Sequence, residues 1–162
     1  MPARSQAKGK REPASVKVAD ILKAKGFTTV YTVGPRQTLI DAVALACEKR
    51  VGALLVVDDD AKPVGIVTER DILYECNARA DLTQKTVAET MTQNVISAKP
   101  SDDINLAMDI MINQEIRHLP VVDDDNIVGI ITIRDLIYAM RKADSADVQY
   151  LVEYIKGNIR ID

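Results

Sequence analysis

Along this 162-residue chain the apolar positions fall into strand-like and helix-like runs, and the same series of runs occurs twice. Short β-branched stretches at Val30–Val33 and Val95–Ala98 stop before Pro35 and Pro100, which lack the amide a strand ladder needs. Helical spacing follows each of them. Thr38 is placed to cap a helix over Leu39–Arg50, with Leu39, Val43, Ala46 and Cys47 on one face. Ser101 or Asp102 is placed to cap a second helix, with Ile104, Ala107, Met108 and Met111 inward. Nearly unbroken apolar runs then predict two strands per copy, Ala53–Val57 with Val64–Val67 and Leu119–Val122 with Ile127–Ile131. Runs of that kind fit a sheet covered on both faces. A further helix begins at Thr68 in the first copy and at Thr132 in the second.

The copies align at an offset of 65 before the acidic turn and 64 after it, one residue being gained or lost in that loop. VGALLVVDDDAKPVGIVTERD at 51–71 matches IRHLPVVDDDNIVGIITIRD at 116–135, and Pro35, Leu39 and Ala42 match Pro100, Ile104 and Ala107. Two copies of about 65 residues are too few and too long for a stacked array, so they are expected to pack on each other with paired, pseudo-symmetric clefts. The expected fold is α/β of the α+β type: two β-α-β-β-α repeats packed pseudo-symmetrically, plus a C-terminal helix. The expected division is a disordered basic arm over 1–15, a first domain over 16–80, a second over 81–142, and a helix and tail over 143–162. In that last segment Asp144 and Asp147 can open a helix that shows Val148, Leu151, Val152 and Ile155 on one face and ends at Gly157. The stripe buries either on the chain's own core or against a second subunit.

Composition narrows the function more than it names it. The chain is 47% hydrophobic, enough to bury a real core. A net charge of −3 gives no global attraction to nucleic acid or anionic membrane, and with no Trp and one Phe there is no base-stacking platform. No apolar run approaches the roughly 20 residues of a membrane span, and the N-terminus lacks the apolar core of a secretory signal. Residues 1–15 read as a solvated arm, although Lys8, Lys10 and Arg11 could touch an acidic partner. Cys47 and Cys76 form no metal-ligand pattern and are expected as buried, reduced thiols, which suits a cytoplasmic protein. Asp58-Asp59-Asp60 and Asp123-Asp124-Asp125 invite a metal reading, but acids joining two apolar strands are the usual chemistry of a solvated turn, so no metal site is expected.

The chemistry-bearing positions are Gly65-Ile-Val-Thr68-Glu-Arg-Asp71 and Gly129-Ile-Ile-Thr132-Ile-Arg-Asp135. A Thr followed three residues later by an acid is a capping box and can be purely structural. Three features favour a ligand: the motif recurs in both copies, Asp has a short arm for a reciprocal cap, and the adjacent glycine lets a ligand approach the backbone. A helix N-terminus attracts phosphate. A Thr hydroxyl adds a donor, and an Asp carboxylate can accept both hydroxyls of a ribose diol. Phosphate and ribose together describe a nucleotide.

These motifs, with IRHLPVVD, VGALLVVD and the lead-ins Val-Ala-Asp-Ile-Leu and Val-Ala-Glu-Thr-Met, resemble a pair of cystathionine β-synthase (CBS) domains, a Bateman module, over about residues 18–142. Leu151-Val-Glu-Tyr-Ile-Lys-Gly157 resembles the tail of small stand-alone two-CBS proteins. The resemblance implies that Asp71 and Asp135 hold ribose, with Thr68 and Thr132 reaching ribose or phosphate. It puts Arg117, His118, Arg134 and Arg70 near phosphate. The adenine pocket then maps to Tyr31, Thr32, Val33, Val51, Gly52 and Ala53, and to Ile96, Ser97, Ala98 and Ile116. His118 is read either as a phosphate contact or as a core-edge residue against Pro120. Because unit two has Arg117-His118 where unit one has Gly52-Ala53, unequal affinities are expected.

The implied function is a regulatory sensor of adenosine-containing ligands, AMP first, with ATP, ADP, NAD and S-adenosylmethionine open. It acts on an unknown regulated protein and carries no catalytic role or catalytic cofactor. A homodimer is implied, and neither membrane nor nucleic acid is expected as a partner. The alternative is an interaction scaffold with structural, unoccupied clefts.

Overall fold

The computed structural model describes residues 16–26 and 29–143; the basic arm and the C-terminal helix expected beyond Asp144 lie outside the described residues. Helix α1 (Val18–Lys25) leads into the first unit, which contains β1 (Thr32–Val33), α2 (Leu39–Lys49), β2 (Ala53–Val57), β3 (Pro63–Thr68) and α3 (Glu69–Asn77). A 3-10 turn at Val87–Glu89 leads into the second, with α4 (Ile104–Asn113), β4 (His118–Asp123), β5 (Asn126–Thr132) and α5 (Ile133–Ala143). The fold is α+β, as the repeated pattern of runs implies. β2 and β3 are antiparallel with Ala53 opposite Thr68, and β4 and β5 repeat this with His118 opposite Thr132.

The units differ in their first strand. β1 pairs in parallel with β2, and the Leu55 amide donates to the Tyr31 carbonyl at 3.1 Å. The stretch expected as a strand at Val95–Ala98 makes only a bridge from Ala98 to Val121. Its counterpart of Leu55 is Pro120, which has no amide to give to Ile96, so the second ladder stops one step short.

Local capping also departs from expectation at one helix. Thr38 caps α2 as foreseen, but α4 is capped by Asp103, whose carboxylate accepts from the Asn105 amide at 2.8 Å. Asp102 instead accepts from the Lys99 amide and holds the preceding turn. Both cysteines are exposed rather than buried. Cys47 lies eight residues beyond Leu39, about 80° round the helix, and so turns off the inward face; α3, which carries Cys76, buries none of its residues. The acidic turns are solvated. Asp124 and Asp125 take φ of 43° and 66° in a two-residue hairpin turn. Asp58 accepts from the amides of Asp60 and Lys62. Among the described residues no group of acids, His or Cys is disposed to hold a metal ion. No helix there is long and apolar enough to cross a membrane.

The core is two clusters, and each takes its plug from the other unit's lead-in. Val18, Ile21 and Leu22 of α1, which precede unit one, pack with Ile104, Met111, Leu119, Ile131 and Leu136 of unit two. Val87, which precedes unit two, is fully buried with Leu39, Leu54 and Val67 of unit one. Matching backbone bonds tie the exchange: the Val18 amide donates to Asp102 and the Val87 amide to Gln37, each at 2.9 Å. The motif glycines serve this packing. A Cβ on Gly129 would meet Leu22, and one on Gly65 would meet Met91 and the Thr92 carbonyl. They make room for the exchanged segments, not for a ligand.

Replacing Gly65 by Val is therefore expected to destabilise the protein by about 1–3 kcal/mol through overpacking against a hydrogen-bonded strand bridge. Gly34→Ala, whose added Cβ meets only the Gln37 side chain at 3.6 Å or beyond, should stay within about 0.5 kcal/mol. Urea denaturation of both variants checks the contrast.

Candidate functional site

The two Thr-x-x-Asp segments sit where β3 and β5 run into α3 and α5. Both close as reciprocal capping boxes, and Asp serves in them despite its short arm. Asp71 Oδ2 accepts from the Thr68 amide at 2.8 Å and the Thr68 hydroxyl at 2.7 Å. Asp135 Oδ2 does the same for Thr132 at 2.8 and 2.9 Å. Thr38 and Asp41 form a third such box at a helix start that lines neither cleft between the units, so the motif's local geometry is structural in all three places. The cap nevertheless has a chemical consequence. It occupies Oδ2 and fixes the carboxylate, leaving Asp71 Oδ1 without a partner among the described residues.

What distinguishes the motif from an ordinary cap is what faces it. A cavity of about 250 Å³ is lined by Thr68, Arg70 and Asp71 of unit one together with Asn94, Ile96, Ile116 and Arg117 from the second half of the chain. A second, of about 480 Å³, joins Thr132 and Arg134 of unit two to Tyr31 and Val51–Ala53 of unit one. The pairing is crosswise: each helix start faces the first-strand segment and helix-to-strand junction of the other unit. The junctions turn at Arg50 and Glu115, which hold matching left-handed conformations (φ 55° and 53°) before Val51 and Ile116.

The residues expected around adenine therefore divide. Tyr31, Val51, Gly52, Ala53, Ile96 and Ile116 line the clefts, whereas Val33 and Ala98 are buried in the two cores. Thr32 and Ser97 are exposed and line neither cavity. Lys25, Thr29, Val30 and Arg50 line the second cavity and were not foreseen. A charge pattern alone could have flagged Arg50. Lys25 could be placed only once the lead-in exchange was known.

Glu69, Arg117 and His118 line both cavities and form their common wall. Arg117 pairs with Glu69 at 2.9 Å across the units, both side chains half-exposed. Arg70 reaches the Glu115 carbonyl at 3.3 Å. His118 packs against Gly52, and burial depresses its pKa more than the nearby Glu69 raises it. At neutral pH it is an uncharged imidazole, so Arg117 is the cation of that pair available to an anion.

The clefts differ at one more place. Lys25 Nζ lies 2.8 Å from Asp135 Oδ2 and 3.0 Å from the Ile130 carbonyl, with both side chains of the ion pair largely covered. The lead-in alignment puts Asn94 at the matching position of the first cavity.

The His118 environment predicts a pH effect on stability. Its folded-state pKa lies below that of the unfolded chain, so the unfolded state takes up the proton first. The associated stability is complete above the ordinary value near 6.5 and is lost as pH falls toward the folded value. Denaturation midpoints should decline from pH 7 to about 5.5, where carboxylates are still ionised, and His118→Gln should flatten that slope.

Comparison with known proteins places these features in a family. The family model of the CBS domain matches residues 18–77 and 87–142. The chain is 35% identical over 119 residues to the CBS domain-containing protein YhcV of Bacillus subtilis, covering 74% of this chain and 84% of that one. It is 37% identical over 123 residues to inosine-5'-monophosphate dehydrogenase of Nitrosopumilus maritimus. That match covers 72% of this chain and only 25% of the dehydrogenase, so the chain spans about a quarter of that relative's length. Among solved structures, the CBS domain pair of protein MJ0100, in complex with 5'-methylthioadenosine and S-adenosyl-L-methionine, superposes with a TM-score of 0.71 at 28% identity. The match covers 80% of this chain and 99% of that one. Both repeats are matched and the fold is shared with a CBS domain pair: the chain belongs to the CBS-domain family and carries two copies of the domain.

Proposed function

We propose that the protein is a regulatory module that binds an adenosine-containing ligand in its crosswise clefts and alters its contacts with a partner protein. The observation that carries this reading is the assembly of each cleft. In the first cleft the capped start with its fixed Asp71 carboxylate lies opposite Ile96, Ile116 and Arg117 of the other unit. In the second, Thr132 lies opposite Val51 and Arg50 of the other unit, with Asp135 outside the lining and held by Lys25. Ribose suits the carboxylate, a phosphate suits the helix amides and Arg117, and a flat base suits Ile96 and Ile116 or Tyr31 and Val51. The 480 Å³ cleft lies within the range of about 300–1,000 Å³ usual for small-molecule sites, and the other falls a little below it. The MJ0100 domain pair, of similar fold, holds two adenosine derivatives, which supports the same ligand class here. AMP is the first ligand to test.

Signalling follows from the crosswise design. A ligand in either cleft touches both units, so it favours whichever relative placement of the units gives better contacts, and the population shifts accordingly. The clefts also share Glu69, Arg117 and His118. A phosphate that draws Arg117 away from Glu69 in one cleft changes the wall of the other.

Calorimetric titration of AMP is expected to show loss of about 10-fold or more in affinity at one cleft in Asp71→Asn. Asp135→Asn should show the same at the other, and the double variant should lose binding. Asparagine keeps an acceptor for the cap, so folding should survive. AMP affinity unchanged in both single variants rejects the ribose role. Absence of any adenosine ligand from fresh and ligand-soaked protein favours the scaffold reading instead.

A further inference from the structure

The two clefts have walls of opposite electrostatic character. The first is lined by Arg70 and Arg117 against Glu69, Asp71 and Glu115. The second is lined by Lys25, Arg50, Arg117 and Arg134 against Glu69 alone. Asp135 lies outside that lining and pairs with Lys25 on its far side; counting it, as Asp71 is counted in the first cleft, leaves four cations against two carboxylates. Two cations against three carboxylates suits a ligand of low anionic charge. Four against two suits a polyphosphate.

Lys25 is the residue that separates the clefts most directly. It arrives on the exchanged α1 and donates to both the Asp135 carboxylate and the Ile130 carbonyl. The neutral Asn94 occupies the matching position in the first cleft. A ribose diol that binds Asp135 must share the carboxylate with that ammonium. A ligand ending in one phosphate has little to offer Lys25 in exchange, whereas a longer anionic tail can accept its donors and those of Arg50 or Arg134 together.

We propose that the second cleft is selective for a nucleoside di- or triphosphate, with Lys25 as the residue that sets the preference, while the first takes an adenosine ligand of lower negative charge. The assignment rests on the adenosine-binding reading above and adds to it the ligand class of each cleft.

The test uses the full chain with Asp71→Asn to silence the first cleft, titrated separately with ATP and with AMP. ATP is expected to bind this variant at least about 10-fold more tightly than AMP, the scale of one charge-assisted hydrogen bond. Adding Lys25→Gln, which retains a donor for the Ile130 carbonyl, should narrow the ratio to about 2-fold, and Lys25→Met should do the same. Lys25→Arg should preserve the preference and, by folding with its charge intact, controls for the position. Circular dichroism checks that each variant folds. An ATP-to-AMP ratio that is the same with and without the Lys25 ammonium overturns the role of Lys25, as does a parent variant that binds AMP as well as ATP. Failure of the unsubstituted protein to bind either nucleotide is a different result: it overturns the adenosine reading itself and this assignment with it.

Discussion

The exchange of lead-in segments between the two units is the constraint on which the rest of the structure depends. α1 precedes the first unit yet fills the core of the second, and Val87 precedes the second yet fills the core of the first. Neither unit has a complete core from its own repeat. Burying Val18, Ile21, Leu22 and Val87 also joins the units by apolar packing, which fixes their separation and hence the width of both clefts. Gly65 and Gly129 are part of the same constraint, since each leaves the space an exchanged side chain fills.

From that arrangement the site geometry follows. With the units held face to face, the start of α3 meets the junction at Ile116–His118, and the start of α5 meets the junction at Val51–Ala53. Glu69, Arg117 and His118 then fall at the shared centre. Apart from the shortened first strand of unit two, the approximate two-fold symmetry is broken by side chains. Arg117-His118 stands where Gly52-Ala53 does, and Lys25 where Asn94 does. One backbone plan thus yields an acidic cleft and a basic one.

Much of this was legible in the sequence, for a physical reason. Strand and helix periodicities are local, so β2 to α3 and β4 to α5 appear close to where their apolar runs lie. The Thr-x-x-Asp starts are equally local. The exchange was not legible, because the eight residues of α1 carry no sign of which core they enter. Two readings failed for the same reason. The motif glycines answer to Met91 and Leu22, distant in sequence, and the missing first strand of unit two answers to Pro120, across the ladder. Cys47 failed differently: a helical stripe read over three turns was drawn too wide, and its last member points to solvent. Asp71 in its box shows that a side chain can be engaged as a cap through one oxygen and still line a cleft.

The central claim is that one small molecule is held by both units at once. Backbone amide chemical shifts followed during titration of the isotopically labelled protein with AMP test it most directly. The account predicts that Thr68–Asp71 shifts together with Ile116–His118, or Thr132–Asp135 together with Val51–Ala53, with the same saturation curve within each pair. Shifts confined to one unit, or no saturable shifts at any of these positions, would contradict it.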